Sequence, residues 1–319
     1  MKPALKGHKI RVFAPATVAN VGSGFDIFGF ALNTPGDEVD LCITSKPGVQ
    51  IKNIISDFED LPSEPDKNTA GVSIAAMLEY IKADYGVALD LYKKMPIGSG
   101  LGSSAASAVA SVYALNCLLQ EPLKINELLG LAIAGEKITS GDSIHLDNIA
   151  ACLYGGFILV RSRDPLDIIS IPTPDDLYCT IIHPRISIKT SESRQLLKKQ
   201  ISLDSAITQW GNVAGMIAAL FKKDYNLLSR SLKDVVAQPV RSILIPYFED
   251  LASSAIKAGA LGCSISGSGP SLFALSNSKV KADQIGSAFK KVLDNHDVQN
   301  DVYVSKINQQ GPKIIKVAI

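Results

Sequence analysis

The chain has 319 residues, 32 Lys plus Arg against 31 Asp plus Glu, and a formal net charge of +1, a balance that gives no electrostatic reason to bind nucleic acid. Apolar residues make up 46% and charged residues 20%, which is ordinary globular usage and speaks against disorder, a collagen-like repeat or a coiled coil as the overall class. At this length one hydrophobic core reaches its size limit, so two domains sharing an interface are expected.

Met1 to Phe13 is basic but has neither the apolar run nor the small-residue cleavage site of a signal peptide, so the expected location is the cytoplasm. Val12 to Ala19 reads as a strand that runs into the turn Asn20-Val21-Gly22-Ser23-Gly24. Strands are expected near Asp37 to Thr44 and Val49 to Ile54, then a Pro-containing loop from Asp60 to Asn68. Val72, Ala75, Ala76, Leu78 and Ile81 predict a helix over Thr69 to Lys82. Alternation of Val87, Leu89 and Leu91 predicts a strand that Lys93-Lys94-Met95-Pro96 ends. Ala105 to Leu119 is the longest apolar stretch; interrupted by Ser107, Ser111 and Asn116, it falls short of the roughly 20 residues that cross a bilayer. It is expected to be a buried helix, with no membrane partner.

A second helix is predicted over Ile125 to Ile138, a polar loop over Thr139 to Asn148, and a strand over Tyr154 to Val160. Pro165, Pro172 and Pro174 make Asp164 to Asp176 the best domain boundary, dividing the chain into 1–170 and 171–319. Beyond it, a strand is expected at Tyr178 to His183. Helices follow around Ser191 to Gln200, Ser205 to Phe221, Tyr225 to Val236 and Tyr247 to Ala258. A Gly-Ser turn at Ser266 to Gly269 and strands at Ser271 to Leu275 and Val302 to Lys306 finish the unit. Strands and helices mix without a βαβ rhythm, so the fold class is α+β. Cys42, Cys117, Cys152, Cys179 and Cys263 are odd in number and lack CxxC spacing, which predicts reduced cysteines and neither a disulfide framework nor a zinc site.

Pro96-Ile97-Gly98-Ser99-Gly100-Leu101-Gly102-Ser103-Ser104 is the most informative segment. Alternate glycines let backbone approach a ligand, and the helix that follows directs its free N–H groups and positive dipole end at the same place, an anion cradle. The plain alternative is a loop that only starts a helix. No Gly-Lys-Ser/Thr occurs, so the Walker A loop is absent. Even spacing of Gly98, Gly100 and Gly102 fails the dinucleotide fingerprint. A serine-hydrolase elbow, with Ser104 as nucleophile, His145 or His183 as base and Asp147 orienting it, is a loose match.

The segment resembles the phosphate loop Pro-x-x-x-Gly-Leu-Gly-Ser-Ser-Ala of the GHMP kinases, which include galactokinases, homoserine kinases, mevalonate kinases and phosphomevalonate kinases. Ala14 to Asp26 is similar to the homoserine kinase version of the family's N-terminal motif, with Val18 and Ser23 departing from it. Gly262 to Pro270 resembles the third, C-terminal motif. The resemblance implies an N-terminal domain carrying the phosphate loop, a ferredoxin-like C-terminal domain, an active site between them, and ATP with Mg2+ as cofactors.

Residue by residue, the resemblance implies that Pro96 to Ser104 hold the phosphates and that Ser104 and Glu136 share the metal, as suits a cation content with few protein oxygens. Without it, Glu136 reads as a solvated acid on an amphipathic helix. Asn68 falls where relatives touch adenine, and reads equally as a helix N-cap. The implied substrate, L-homoserine, carries an ammonium and a carboxylate. Asp26 suits the first; Arg194 and Arg241 occupy family positions for the second. Asn20, His145, Asp147 and Thr190 complete the expected substrate residues, although His145 with Asp142 and Asp147 also reads as an ordinary hydrogen-bonded loop.

The His145-x-Asp147-Asn148 pattern resembles homoserine kinases, in which Asn148 stands near the base that mevalonate kinases use. An amide accepts no proton as a base, so a mechanism without a protein base is expected, with Asn148, Asp147 and Glu136 as the catalytic candidates. A kinase for shikimate or a mevalonate-type acid is the nearest rival, and it would not need Asp26 opposite an ammonium. A nucleotide sensor without turnover should lack Glu136 or the arginines. The sequence leaves the oligomeric state open, a homodimer included.

Overall fold

The computed structural model describes residues 9–58, 61–140, 144–186, 188 and 190–318; for Thr139, Ser140, Thr190, Ser191 and Ala318 it describes the backbone alone. The chain begins with β1 (Lys9–Ala19), β2 (Phe28–Thr44) and β3 (Gly48–Ser56), then α1 (Thr69–Tyr80) and β4 (Gly86–Lys93). Three helices follow, α2 (Ser103–Cys117), α3 (Ile125–Ser140) and α4 (Leu146–Tyr154), and then the pair β5 (Phe157–Arg163) and β6 (Leu166–Ile171). Next come β7 (Tyr178–Pro184), α5 (Thr190–Gln195), α6 (Leu203–Lys222), α7 (Tyr225–Ser231), α8 (Gln238–Arg241) and α9 (Phe248–Lys257). β8 (Gly262–Ile265), β9 (Leu272–Ser276), α10 (Lys279–Asp294), β10 (Asn300–Lys306) and β11 (Lys313–Ala318) end the chain.

Among the described residues the strands form two sheets. One runs β11-β1-β2-β4-β3, with β5 also pairing β2 and β6 pairing β5; the other runs β10-β7-β9-β8. β3 joins β4 in parallel, and the other ladders are antiparallel. The two-residue period of a strand decides how the second sheet is packed. Cys179, Ile181, Phe273 and Leu275 point into the larger core, which the first sheet, α2 and α4 fill. Their neighbours Ile182, Leu272 and Ala274 point the other way, onto Phe248 and Leu251 of α9 and Ile285 and Phe289 of α10.

α2 is buried on nearly every side, which its sequence permits because most of its residues are Ala, Ser or Val. Ser111 donates to the Ser107 carbonyl at 2.7 Å, so its hydroxyl is satisfied inside the core. This is the buried, non-spanning helix that the composition implies; among the described residues no helix is long and apolar enough to cross a membrane. The five cysteines are free thiols.

Several expected elements differ. The polar stretch Thr139 to Asn148 is not one loop: α3 reaches Ser140, Asp142 lies outside the described residues, and α4 begins at Leu146. Leu146, Ile149, Ala150 and Leu153 are buried at helical spacing, and that apolar face outweighs the polar residues between them. The strand expected from Tyr154 therefore starts at Phe157, after Gly155 and Gly156. The Pro-rich stretch carries β6, an edge strand of the first sheet. The helix expected to reach Gln200 stops at Gln195, and the one expected to reach Val236 stops at Ser231. α10 and β11 were not expected, and β11 returns the chain to the first sheet beside β1.

Candidate functional site

The glycine loop is held from below by a buried ion pair. Lys93, the last residue of β4, pairs with Asp37 of β2, the two being 4% and 1% exposed. The ammonium also donates to the Ser103 carbonyl at 2.9 Å and to Ser107 Oγ at 2.7 Å. Asp37 accepts from Ser103 Oγ at 2.8 Å and from the backbone N–H groups of Lys94 and Met95. Every oxygen and proton of the pair thus has a partner, within the pair, on the two residues that lead into the loop or on the first two turns of α2, the condition under which a buried pair persists.

Two glycines fit their surroundings and nothing larger would. A Cβ on Gly100 (φ +78°) would lie 2.3 Å from the Ser266 carbonyl, and one on Gly102 (φ +70°) 2.1 Å from Thr17 Oγ1. Gly102 precedes α2, which has no side-chain cap, so the first N–H groups of the helix are open to an anion. Pro96 is buried behind the loop, where its carbonyl accepts from Ser99 Oγ at 2.7 Å.

Two distant segments are sewn to this loop, and to one another. Ser266 Oγ donates to the Gly100 carbonyl at 2.7 Å, and the Thr17 N–H to the Leu101 carbonyl at 3.0 Å. Asn20, at φ +57°, donates through Nδ2 to the Gly267 carbonyl at 2.8 Å and accepts from the Asp26 N–H at 2.7 Å. The C-terminal glycine turn therefore braces the loop and the N-terminal turn against one another.

Above them lies a cavity of about 430 Å3. Ile97 to Ser104 form one wall, with Asn20, Asp26, Asn68, Glu136, His145, Asn148, Arg194 and Arg241 around it. Pro96 and Asp147 are not on the wall. Thr190 begins α5, and its side chain lies outside the described residues. Asn68 is an N-cap: Oδ1 accepts from the Ala70 N–H at 3.0 Å, while Nδ2 donates to the Pro62 carbonyl at 2.9 Å. Pro62 and Lys67 line the cavity beside it.

Glu136, on α3, is 2% exposed, and its Oε1 lies 3.2 Å from His145 Nδ1. Burial opposes a charged imidazole, but the Glu136 carboxylate more than offsets it and holds His145 above its ordinary range. Ser104 is half-buried at the first turn of α2. These two hard oxygen donors suit a magnesium ion that keeps waters and phosphate oxygens as its other ligands. Among the described residues no group of three or more His, Cys, Asp or Glu offers a fuller cage.

The charged cluster is the other notable part. Asp26 Oδ2 accepts from Arg194 at 2.7 Å and from Arg163, at the end of β5, at 3.2 Å. Arg241, 4% exposed, donates to the Ser193 and Gly267 carbonyls and stacks 4.9 Å from the Phe25 ring centroid. Burial lowers its pKa, with the Asp26 charge acting in the opposite sense. Asp147, in the first turn of α4, accepts from the backbone N–H groups of Asn20 at 3.2 Å and Asn148 at 3.1 Å. Burial and the Asp26 charge push its carboxyl up to about 6. Asn148 Oδ1 accepts from Thr17 Oγ1 at 2.7 Å.

The hydrolase alternative fails on geometry, since His183 Nδ1 lies 3.0 Å from Ser271 Oγ and His145 faces Glu136. Sequence reasoning missed Asp37, Lys93, Thr17 and Arg163. In the sequence Lys93 marks only the end of a strand, and nothing local signals its pairing with a residue 56 positions away.

Comparison with known proteins adds three findings. The GHMP kinases N terminal domain matches residues 68–156 and the GHMP kinases C terminal domain matches residues 216–295. The chain is 46% identical to the homoserine kinase of Chloroherpeton thalassium over 314 residues, 95% of this chain and 98% of that protein; the homoserine kinase of Chlorobaculum tepidum is similar at 46% over 315 residues, 95% and 97%. The crystal structure of homoserine kinase from Cytophaga hutchinsonii matches with a TM-score of 0.94 at 52% identity, covering 99% of both chains.

Proposed function

The chain belongs to the GHMP kinases, on their homoserine kinase branch, and from that premise we propose that its cavity transfers the γ-phosphoryl group of ATP to the side-chain hydroxyl of L-homoserine, a step of threonine biosynthesis. One observation carries the reading. A single cavity joins an uncapped helix N-terminus behind a glycine loop, a hydroxyl and a carboxylate suited to magnesium, and an acid with two arginines suited to a zwitterion.

Ser99 to Ser104 and the open N–H groups of α2 hold the phosphates. Ser104 and Glu136 hold the cation, which neutralises phosphate charge when bound. Asn68, with Pro62 and Lys67, forms the adenine edge, its role as N-cap fixing the wall it stands on. Asp26 takes the substrate ammonium, and Arg194 and Arg241 take its carboxylate through forked donors. Arg194 already rests on Asp26, so the substrate enters between them and each charge exchanges one partner for another. Asn20 fixes the backbone of Asp26, Thr190 is added from the family position, and His145 is held by Glu136 at the hydroxyl end.

Asn148 has no proton-accepting function, and Asp147 stands behind the wall with its oxygens on backbone N–H groups. The pair supports transfer without a protein base: the residues position the hydroxyl in line, and its proton passes late to phosphate or solvent. Residues 1–170 form the ATP-binding domain and 171–319 the second domain, with β11 crossing back, and the enzyme works in the cytoplasm. A steady-state assay of ADP release with L-homoserine, shikimate and mevalonate tests the reading. L-homoserine should give the highest kcat/KM; preference for either hydroxy acid would overturn it.

A further inference from the structure

Thr17 and Asn148 meet behind the wall of the cavity. Thr17, on β1, is 0% exposed, and its Oγ1 lies 2.7 Å from Asn148 Oδ1. Its neighbours Ala16, Val18 and Ala19 are apolar and as deeply buried, so a hydroxyl is exceptional on this stretch of strand. The ladder with β2 slips between Pro15 and Thr17, an irregularity of the kind that re-aims a side chain beside a site. There the Thr17 N–H donates to the Leu101 carbonyl of the phosphate loop at 3.0 Å. Gly102 closes another side: a Cβ on it would lie 2.1 Å from Thr17 Oγ1 and 2.9 Å from Asn148 Oδ1. The pair thus abuts the last residue before α2, whose open N–H groups form the anion cradle.

Counting protons fixes the amide. A threonine hydroxyl has one proton to donate, and the bond to Asn148 is the one hydrogen bond that the Thr17 side chain makes among the described residues. With Oδ1 facing it, that proton is used. With the amide turned over, Thr17 would accept from Nδ2, and its own proton would be buried without an acceptor, which is the costlier state. Oδ1 therefore faces Thr17, and Nδ2 is the group left over. Asn148 lines the cavity, and Nδ2 has no partner among the described residues, yet it is not one of the buried orphaned atoms. It opens on the cavity.

We propose that Thr17 is a positioning residue for the transfer: its hydroxyl holds Asn148 so that the amide presents a donor, and not an acceptor, to the γ-phosphoryl group. This role rests on the phosphoryl transfer proposed above. In that step the substrate oxygen bonds to the γ-phosphorus while the bond from phosphorus to the β–γ bridging oxygen breaks. ADP leaves with that electron pair, and the hydroxyl proton ends on phosphate or solvent. Negative charge is spread over the equatorial oxygens of the moving group, where an N–H oriented beforehand stabilises it without reorganisation. An amide free to turn would set its oxygen against the same charge for part of the time. Thr17 removes that state.

Steady-state kinetics with L-homoserine and binding titrations with nucleotide test the role. Thr17→Val keeps the shape and loses the hydroxyl; it should lower kcat at least roughly 10-fold with KM for L-homoserine and circular dichroism little changed. Thr17→Ser keeps the hydroxyl and should stay within about 3-fold of the native kcat. In an Asn148→Ala background Thr17→Val should have no further effect on kcat, because Thr17 acts through the amide. Asn148→Asp offers the phosphates a carboxylate oxygen, since Thr17 has one proton for two oxygens; in calorimetry with magnesium it should weaken ATP at least roughly 10-fold and ADP less than about 2-fold.

An unchanged kcat in Thr17→Val, a loss that Thr17→Ser fails to restore, a full effect of Thr17→Val in the Asn148→Ala background, or equal weakening of ATP and ADP in Asn148→Asp would each overturn the proposal. A native chain that does not turn over L-homoserine would instead refute the acceptor assigned above, and the nucleotide titrations would still decide which way the amide faces.

Discussion

Replacing Asp37 by Asn strands the Lys93 ammonium in a site where it is 4% exposed. Asp37 supplies its counter-charge, and its oxygens also accept from Ser103 Oγ and two backbone N–H groups. Breaking a buried pair by removing one partner costs about 3–5 kcal/mol, because the remaining charge is uncompensated. For a chain of this size each kcal/mol lowers Tm by about 1.5 °C, so a fall of roughly 4–8 °C is expected in scanning fluorimetry. Lys93→Met in the Asp37→Asn background removes the stranded charge and should recover more than half of the loss. Since Ser103 and the loop hang from this pair, the single variant should also raise KM for ATP more than KM for L-homoserine. A single variant costing under about 1 kcal/mol, the value of an exposed pair, or a double variant worse than the single, would refute the reasoning.

Arg163, 46% exposed in its side chain, pairs with Asp26, and if Asp26 takes the substrate ammonium as proposed the two compete; Arg163→Gln should then lower KM for L-homoserine about 2–5-fold with kcat unchanged, the value of an exposed ion pair, and a raised KM would show that the arginine binds substrate. Glu136→Gln should reduce kcat at least about 100-fold at saturating ATP and magnesium, and activity retained within a few-fold would remove Glu136 from the metal. Asp147 titrates at about 6 when folded and near 3.9 unfolded, so the folded state binds the extra proton between these values. Its burial therefore costs nothing near pH 4 and up to about 3 kcal/mol above pH 7. The stability of Asp147→Asn relative to the native chain should accordingly rise from pH 4 to 7 and then level, measured by urea unfolding; a pH-independent difference would contradict the burial argument. The acidic limb of kcat/KM should be the same in that variant and in the native enzyme, and loss of one ionisation would make Asp147 the base.

The phosphate loop was legible because its logic is local. Alternating glycines, two serines and a run of small residues state a close approach and a buried helix within about twenty positions. The charged residues around Asp26 could be nominated one at a time, but their assembly could not be read, because Asp26, Arg163, Arg194 and Arg241 meet only when β5, α5 and α8 are folded around one turn. Long-range pairs such as Asp37 with Lys93 and Asn20 with Gly267 leave no periodic trace. α4 did leave one, in Leu146, Ile149, Ala150 and Leu153, which the acids and amide between them obscured. α10 was legible too, its buried Ala282, Ile285, Phe289 and Leu293 lying at helical spacing in a lysine-rich stretch. β6 and β11 are short edge strands with exposed residues on both faces, and such strands lack the clean alternation that marks a half-buried one.

The central claim is that Asp26 with Arg194 and Arg241 recognises a zwitterion beside the phosphate loop. It is tested most directly by kcat/KM for L-homoserine and for 4-hydroxybutyrate, which keeps the hydroxyl and carboxylate and lacks the ammonium, in the native enzyme and in Asp26→Asn. The native enzyme should favour L-homoserine by at least about 100-fold, since an analogue without the ammonium forfeits the charge-assisted contact with Asp26, and Asp26→Asn should reduce that ratio at least about 10-fold. Equal use of the two substrates by the native enzyme, or a ratio that Asp26→Asn leaves unchanged, would contradict it.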